Sequence, residues 1–395
     1  MEAGIEKPFS LWSRDFVLVC LANFCFFGSF YFLLPTLPQY ISILGGTSGQ
    51  VGMVMGLFTL ASVLVRPCFG SVADRRGRKV LLLIGSGFHA AFPVVYIAIQ
   101  AITPFYLVRV VHGVALASFL VAIMAYIADL APPERRGEVI GIFGTSNVLA
   151  MAMFPALGAK IIAAGCSFSL LFILSSVTAA MAFIAVLLLA DIRAVANREG
   201  KTQGFLKAGS RREVLMPSVA LFGGAVCYGA VISFLPLFAP ERAISDFGIF
   251  FTIYALSSVS SRMTTGKLSD RIGRRKVVMP CMLLLALTMG LFSFLNSLWT
   301  LAFIGVLFGF SFGSMMPSLN ALVVDLTPPQ QRGSALAFFI SSVDLGITVG
   351  SMALGFVGGS LGYPAMYGLC GLIVLTCLIL FSVFLRTTEP APSRV

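Results

Sequence analysis

Charge is what this sequence has least of. Asp, Glu, Lys and Arg make up 11% of its 395 residues and 58% are apolar or aromatic, whereas a soluble globular chain carries about 25% charged and 45–50% apolar residues. With a mean hydropathy of +0.97, the chain is neither a water-soluble enzyme of its length nor an intrinsically disordered one. Histidine is nearly absent, with 2 residues. The cysteines give no metal-ligand spacing: Cys20, Cys25, Cys68, Cys227, Cys281, Cys370 and Cys377 fall inside apolar runs and Cys166 at the edge of one, where a thiol packs as a small hydrophobe. No Walker-type nucleotide loop occurs, so ATP is not the expected energy source. No nucleophile, base or metal cluster sits at interface depth, so neither an enzyme nor a metal or cofactor is expected. The amino terminus has little charge before its first apolar run and no small-residue cleavage site, which reads as a retained helix rather than a signal peptide.

What is present is a series of long apolar runs. Twelve are bounded by charge or turn signals, at 15–40, 50–73, 79–99, 103–129, 137–163, 168–190, 213–238, 246–268, 276–295, 298–326, 333–358 and 363–385. At about 20 residues per spanning helix, twelve use about 240 residues and leave no room for a sizeable soluble domain. The expected class is an all-α integral membrane protein. The longest polar stretch, 191–212, separates residues 1–190 from 213–395 as a linker between two six-helix bundles. With odd-numbered helices starting inside, 22 of the 27 Lys and Arg fall on the cytoplasmic side, only Lys160 and Arg242 fall outside, and Arg66, Arg109 and Arg262 lie within helices. That bias follows the positive-inside rule and places both termini in the cytoplasm. The net charge of +11 therefore reads as topology and attraction to anionic lipid rather than as a nucleic-acid surface.

The two halves repeat each other. Gly70-Ser-Val-Ala-Asp-Arg-Arg-Gly-Arg-Lys79 recurs as Gly266-Lys-Leu-Ser-Asp-Arg-Ile-Gly-Arg-Arg275, and Asp129-Leu-Ala-Pro-Pro-Glu-Arg-Arg-Gly137 recurs as Asp325-Leu-Thr-Pro-Pro-Gln-Gln-Arg-Gly333, both at an offset of 196 residues that Arg66 and Arg262 share. Leu34-Pro35 matches Leu235-Pro236 at 201, which predicts a first outer loop about five residues shorter in the second half. The chain is a duplicated six-helix unit with its halves parallel.

These repeated loops carry a resemblance. Over essentially its whole length the sequence looks like a twelve-helix member of the major facilitator superfamily, whose most specific signature is the Gly-x-x-x-Asp-Arg-x-Gly-Arg-Arg/Lys loop after helices two and eight. The resemblance implies two pseudo-symmetric bundles working by alternating access, as a monomer. It also implies that this loop latches the halves together on the inner face when the carrier is open outward. Gly70, Asp74, Arg75, Gly77, Arg78 and Asp129 would form the latch in one half, mirrored by Gly266, Asp270, Arg271, Gly273, Arg274 and Asp325. On physical grounds Gly70 permits close helix approach, Gly77 permits the tight turn, and Asp74 can pair with an arginine or cap the next helix. Arg66 and Arg262, one helical turn before the loop glycines, either extend that latch or clamp an anion.

Charges at membrane depth are costly and mark function by default. Asp344 is the only carboxylate well inside the predicted spans, about 16 Å up helix eleven. It reads either as a proton carrier or as the fixed partner of Arg66, helices two and eleven being neighbours in the superfamily; an ion pair that breaks on protonation satisfies both. Arg109, in Arg109-Val-Val-His112-Gly, resembles the Arg-x-x-Gln-Gly pattern of proton-coupled members with His112 in place of Gln. There it would tune a carboxylate, meet an anionic substrate, or bond to backbone carbonyls. His89 and His112 titrate near neutrality when exposed, but a lone histidine in a membrane helix more often serves packing. Asn23, Asn147 and Asn320 offer hydrogen bonds to a ligand or a neighbouring helix.

Helix five, with Gly141, Pro155 and Gly158, resembles the antiporter signature of the drug-efflux branch, Ala150 and Ala159 being near matches and Phe154 standing where a glycine is usual. Helix one has no interior acidic residue, unlike many multidrug members, which argues against a cation pump with carboxylates in both halves. A central cavity lined by aromatics and Met would suit amphipathic substrates. The expectation is a secondary carrier of a prokaryote-like plasma membrane, not an enzyme, exporting a small amphipathic compound in exchange for protons. Its partners are then that small molecule, protons and membrane lipid, with no nucleic acid. The alternatives are proton-coupled uptake of a small organic or inorganic anion through Arg109 with Arg66 or Arg262, and a non-transporting membrane sensor.

Overall fold

The computed structural model describes residues 13–191, 207 and 209–388, without the side chains of 71, 74–76, 133, 330 and 385–388. Most of the 191–212 linker and the side chains of Asp74 and Arg75 thus lie outside the described residues. The described residues form twelve long helices: α1 (Arg14–Ile43), α2 (Ser48–Arg76), α3 (Arg78–Ala98), α4 (Ile102–Leu130), α5 (Arg136–Ala163), α6 (Phe168–Leu187), α7 (Arg212–Glu241), α8 (Ile249–Ile272), α9 (Arg274–Leu291), α10 (Leu298–Leu326), α11 (Arg332–Leu361) and α12 (Tyr363–Thr388). No strand occurs among the described residues. Each lies within a few residues of a predicted span.

Eleven of these helices are long and apolar enough to cross a membrane. The remaining one, α8, is too polar by that measure because Ser257, Ser258, Ser260, Ser261, Thr264 and Thr265 surround Arg262. Several of its hydroxyls turn back onto their own helix, Ser260 donating to the Leu256 carbonyl at 3.0 Å and Thr265 to that of Ser261 at 2.6 Å, so their polar groups are satisfied without water.

Helices α1–α6 pack as one bundle, with α1 against α5 and α6, α2 against α4, and α3 between α4 and α6. Helices α7–α12 pack as a second with the corresponding pairs, α7 against α11 and α12, α8 against α10, and α9 between α10 and α12. The halves meet along two seams, α2 on α11 and α5 on α8, with α1 touching α7 between them.

The duplication survives in the packing. Gly113 of α4 lies against the Phe58 carbonyl of α2, and 196 residues on Gly309 of α10 lies against the Tyr254 carbonyl of α8, where an added Cβ would sit 2.6 Å from that oxygen. Lipid gives helices little hydrophobic reason to associate, so such backbone approach through a small residue is what brings them together. Gly77 and Gly273 open the turns after α2 and α8 with φ of 91° and 97°, a region that disfavours any side chain. Arg78 binds Asp129 at 3.1 Å in the first half, and Arg274 binds Asp325 at 3.3 Å in the second.

One symmetry expectation needs correction. The five-residue deficit of the second half falls on the helix, α8 having 24 residues to the 29 of α2, and the connection itself is longer, 242–248 against 44–47. The chain leaves α7 through Ala243 at φ 58° and reaches α8 at Gly248, which is seated against Pro155 and Ala156 of α5. The α8 helix therefore starts deeper than α2.

The two ends of the seams differ. On the face away from the basic loops the halves are closed: Ser48 and Tyr363 share a hydroxyl hydrogen bond at 3.0 Å, Thr252 of α8 donates to the Ala152 carbonyl of α5 at 2.6 Å, and Gln39 donates to the Pro236 carbonyl at 2.9 Å. On the basic face Gly70, Gly141, Gly144, Gly266 and Gly333 have open space where a Cβ would stand. Gly141, Gly144 and Met263 there line an open space between α5 and α8, and Gly70 makes no close helix contact.

Replacing Gly309 by Val wedges α10 away from the Tyr254 carbonyl, and the monodisperse peak in fluorescence-detected size exclusion is expected to disappear. Gly290→Val, at a position with nothing within 4 Å, is expected to leave it unchanged.

Candidate functional site

Between the bundles lies a cavity of about 360 Å³ to which both halves contribute. Aromatic rings dominate its wall: Phe27 and Tyr31 from α1, Tyr228 from α7, Tyr254 from α8 and Phe312 from α10, with Met124, Met151 and Met316 filling between them. Phe27, Tyr31, Tyr228 and the rest are carried on helices that are apolar on every side, so which rings meet the cavity is decided by bundle packing rather than by an amphipathic stripe. Tyr228 stacks on Phe312 at 5.5 Å between centroids and lies 5.8 Å from Tyr254. Polar contacts are few. Asn23 donates to the Ser146 hydroxyl at 2.7 Å, and Tyr31 donates to Asn147 Oδ1 at 3.2 Å. A second space of about 790 Å³ opens sideways between the inner parts of α5 and α8. It joins the cavity through Ile140, Gly144, Val148 and Arg262, which line both. No carboxylate lines either space among the described residues.

Asp344 lies beside this cavity, in the α2–α11 seam, between Val343 and Ile347 that do line it. Its Oδ2 accepts from Arg66 Nη1, an ion pair that spans the two halves, with the side chains 16% and 21% exposed. Arg66 Nη2 also reaches the Ser62 hydroxyl at 3.4 Å. Around the pair the seam is hydroxyl-lined: Thr348 donates to the Asp344 carbonyl at 2.8 Å and shares a hydrogen bond with Thr59 at 2.9 Å. The structure therefore joins the only deep carboxylate to one of the two symmetric arginines. The other, Arg262, is exposed and forms no hydrogen bond or ion pair among the described residues.

Arg109 and His112 are elsewhere. Both are buried inside the first bundle and neither lines the cavity. Arg109 Nε donates to the Val54 carbonyl of α2 at 3.1 Å, its guanidinium covers the Phe58 ring at 4.0 Å and it also meets the Tyr96 hydroxyl, so its partners are backbone, an aromatic face and a phenol, not a carboxylate. His112 bridges Tyr96, at 2.7 Å from Nδ1, and His89, at 2.5 Å from Nε2. The positions 196 residues on are Phe292, Phe308 and Leu285, all buried and apolar, so this polar trio belongs to one half only.

The latch residues are divided between the halves. Arg78 holds Asp129 and donates to the Ala73 carbonyl at 2.7 Å, and Arg274 pairs with Asp270 and Asp325. The described pairs all stay within their own bundle, as they must while the basic face is open. In helix five Gly141 faces open space, Pro155 and Gly158 lie at the closed end, and Phe154 takes up room left by Gly28 of α1, where a Cβ would stand 2.5 Å from its ring. The glycine usual at position 154 has in effect moved to the facing helix.

Tyr31, Tyr228, Tyr254, Phe312 and Val148 were not singled out by sequence. The repeat offset contains part of the signal, since it aligns Tyr254 with Phe58 and Val148 with Asp344.

Two helical bundles enclosing a cavity that is closed on one face and open on the other are the architecture of a membrane carrier. The chain belongs to the Major Facilitator Superfamily, whose sequence model matches residues 19–247 and 242–395. It is 24% identical over 389 residues to the staphylopine export protein of Staphylococcus aureus, spanning 96% of this chain and 97% of that one. It is 26% identical over 382 residues to the multidrug resistance protein MdtG of Salmonella paratyphi A, spanning 92% and 93%. In fold it is similar to a bacterial homologue of the human lysosomal transporter Spinster in an inward-facing, unoccupied conformation, with a TM-score of 0.77 at 15% identity over 98% of this chain and 100% of that one. It is also similar to the nucleoside transporter NupG, with a TM-score of 0.75 at 17% identity over 94% and 98%. The chain is accordingly a multi-pass membrane transporter and not an enzyme.

Replacing His112 and His89 together by Phe and Leu, their counterparts in the second half, removes both ends of the bond between them while the Tyr96 hydroxyl keeps Arg109, and is expected to leave thermal stability within a few degrees of wild type. His112→Phe alone strands His89 Nδ1 and is expected to cost about 1–3 kcal/mol. Residual monomer after heating, read by size exclusion, separates the two.

Proposed function

We propose that this carrier exports a small amphipathic compound from the cytoplasm across the plasma membrane in exchange for protons. The basic loops and both termini face the cytoplasm in this reading, so the open cavity faces the side from which an exporter loads. The names of the export relatives support the direction, and the aromatic and Met-rich wall supports an amphipathic cargo. It works as a monomer, its partners being the cargo, protons and lipid.

The observation that carries the coupling is the Arg66–Asp344 pair across the α2–α11 seam. While Asp344 is ionised, the pair ties the halves together along that seam. A proton delivered to Asp344 from outside removes its charge and its hold on Arg66, leaving an arginine that must find another partner; losing the proton inward restores the bond. Breaking a partly buried ion pair in this way costs several kcal/mol, enough to shift an equilibrium between two conformations. In the outward-open state the basic face closes, and the loops carrying Asp74, Arg75, Arg78 and Asp129, and their mirrors Asp270, Arg271, Arg274 and Asp325, come together as the latch. Gly70 and Gly266 give the room for that approach.

Asp344→Asn is expected to lower proton-driven transport in reconstituted vesicles at least tenfold while leaving substrate counterflow, which needs no proton step. Undiminished driven transport would remove Asp344 from the coupling.

A further inference from the structure

The two seams are built on the same repeat but are not electrically equivalent. In the α2–α11 seam Arg66 is neutralised by Asp344. In the α5–α8 seam the arginine is Arg262, and the position equivalent to Asp344 at the offset of 196 is Val148. The register is secure there, because α5 and α11 begin at the matched residues Arg136 and Arg332 and because the matched Phe143 and Phe339 are both buried. Arg262 and Val148 both line the central cavity and the space between α5 and α8. The second seam thus retains the cation and lacks its carboxylate.

Arg262, exposed in the opening between α5 and α8, presents a positive charge there without a carboxylate partner among the described residues. Nothing on the cavity wall supplies one: its lining is aromatic, aliphatic, amide and hydroxyl, with Tyr31, Tyr254 and Asn147 the polar groups nearest in kind to a ligand's own. The opening on the basic face admits solutes to this point, and α5 and α8 are apart there.

We infer that the cargo is an amphipathic organic anion whose carboxylate, or an equivalent acidic group, docks on Arg262 in the place that Asp344 fills in the other seam. The apolar part of the cargo then lies against Tyr228, Tyr254 and Phe312. This inference rests on the reading of the chain as a carrier and adds the charge class of what it carries. It also gives the ligand a mechanical role: by completing the second ion pair it supplies the α5–α8 seam with the charge balance that the α2–α11 seam has permanently.

The test uses two isosteric probes, tritiated 1-naphthoate and its neutral amide 1-naphthamide, binding to the full-length protein in nanodiscs of phosphatidylcholine. Wild type is expected to bind the carboxylate about tenfold or more tightly than the amide, the increment of a charged hydrogen bond. Arg262→Gln is expected to abolish that preference and Arg262→Lys to retain part of it. Val148→Asp, which provides an internal carboxylate, is expected to abolish it with Arg262 still present. Each variant is first checked for monodisperse elution, and Arg262→Gln decides the matter if Val148→Asp does not fold.

Equal binding of the two probes in wild type, no binding of either, or a preference that survives Arg262→Gln overturns the inference. Adding phosphatidylglycerol separates a cargo from a lipid headgroup: undiminished carboxylate binding supports a cargo site, and binding lost to the anionic lipid assigns Arg262 to the bilayer and overturns it. Proton-driven transport of the amide without any carboxylate preference would defeat the anion assignment and leave the carrier reading standing. An Arg262-dependent preference in a protein whose driven transport is untouched by Asp344→Asn would do the reverse.

Discussion

The structure depends first on one ion pair. Arg66 and Asp344 sit on different halves of the chain, each at a depth where a lone charge is costly, and each is the other's remedy. Their bond, with the Thr59–Thr348 contact beside it, holds the α2–α11 seam along its inner part while the α5–α8 seam parts there. With the pair in one seam only, the two seams differ in what holds their inner parts.

The same departure from symmetry runs through the bundles. The first half holds a buried polar trio of Tyr96, His112 and His89 with Arg109 alongside, and the second half fills the equivalent space with Phe292, Phe308 and Leu285. These hydrogen bonds tie α2, α3 and α4 to one another, because each accepts one geometry. The apolar counterpart permits more sliding. The first bundle thus carries a geometric constraint for which the second has only apolar packing.

Much of this was legible in the sequence. Twelve spans and the duplication followed from apolar runs and the offset between the basic loops, and α8 was among those runs although it falls short of the hydropathy that the other eleven reach. Arg66 and Asp344 could be suspected as partners because helices two and eleven are neighbours in the family that the repeated loops resemble. Arg109 and His112 could be placed at depth but not on a face of α4: a helix apolar all round carries no stripe to orient it, and their partners Val54 and His89 are far along the chain. The aromatic wall was hidden for a related reason. With 36 Phe in the chain, nothing local distinguishes Phe27 or Phe312 from rings that meet lipid, and only the packing of the two bundles selects them. The size exchange between Gly28 and Phe154 is invisible in either segment alone, since each departs from expectation only in the presence of the other.

The polarity of α8 has a consequence for how the molecule is assembled. Six hydroxyls and an arginine give this segment little reason of its own to leave water for hydrocarbon, and backbone-directed hydrogen bonds of Ser260, Thr264 and Thr265 reduce that deficit only in part. What retains it in the bilayer is Tyr254 and Ser258 lying against the glycines of α10, a helix synthesised later. The placing of α8 thus depends on a helix that follows it in the chain, one that a truncation before α10 would remove.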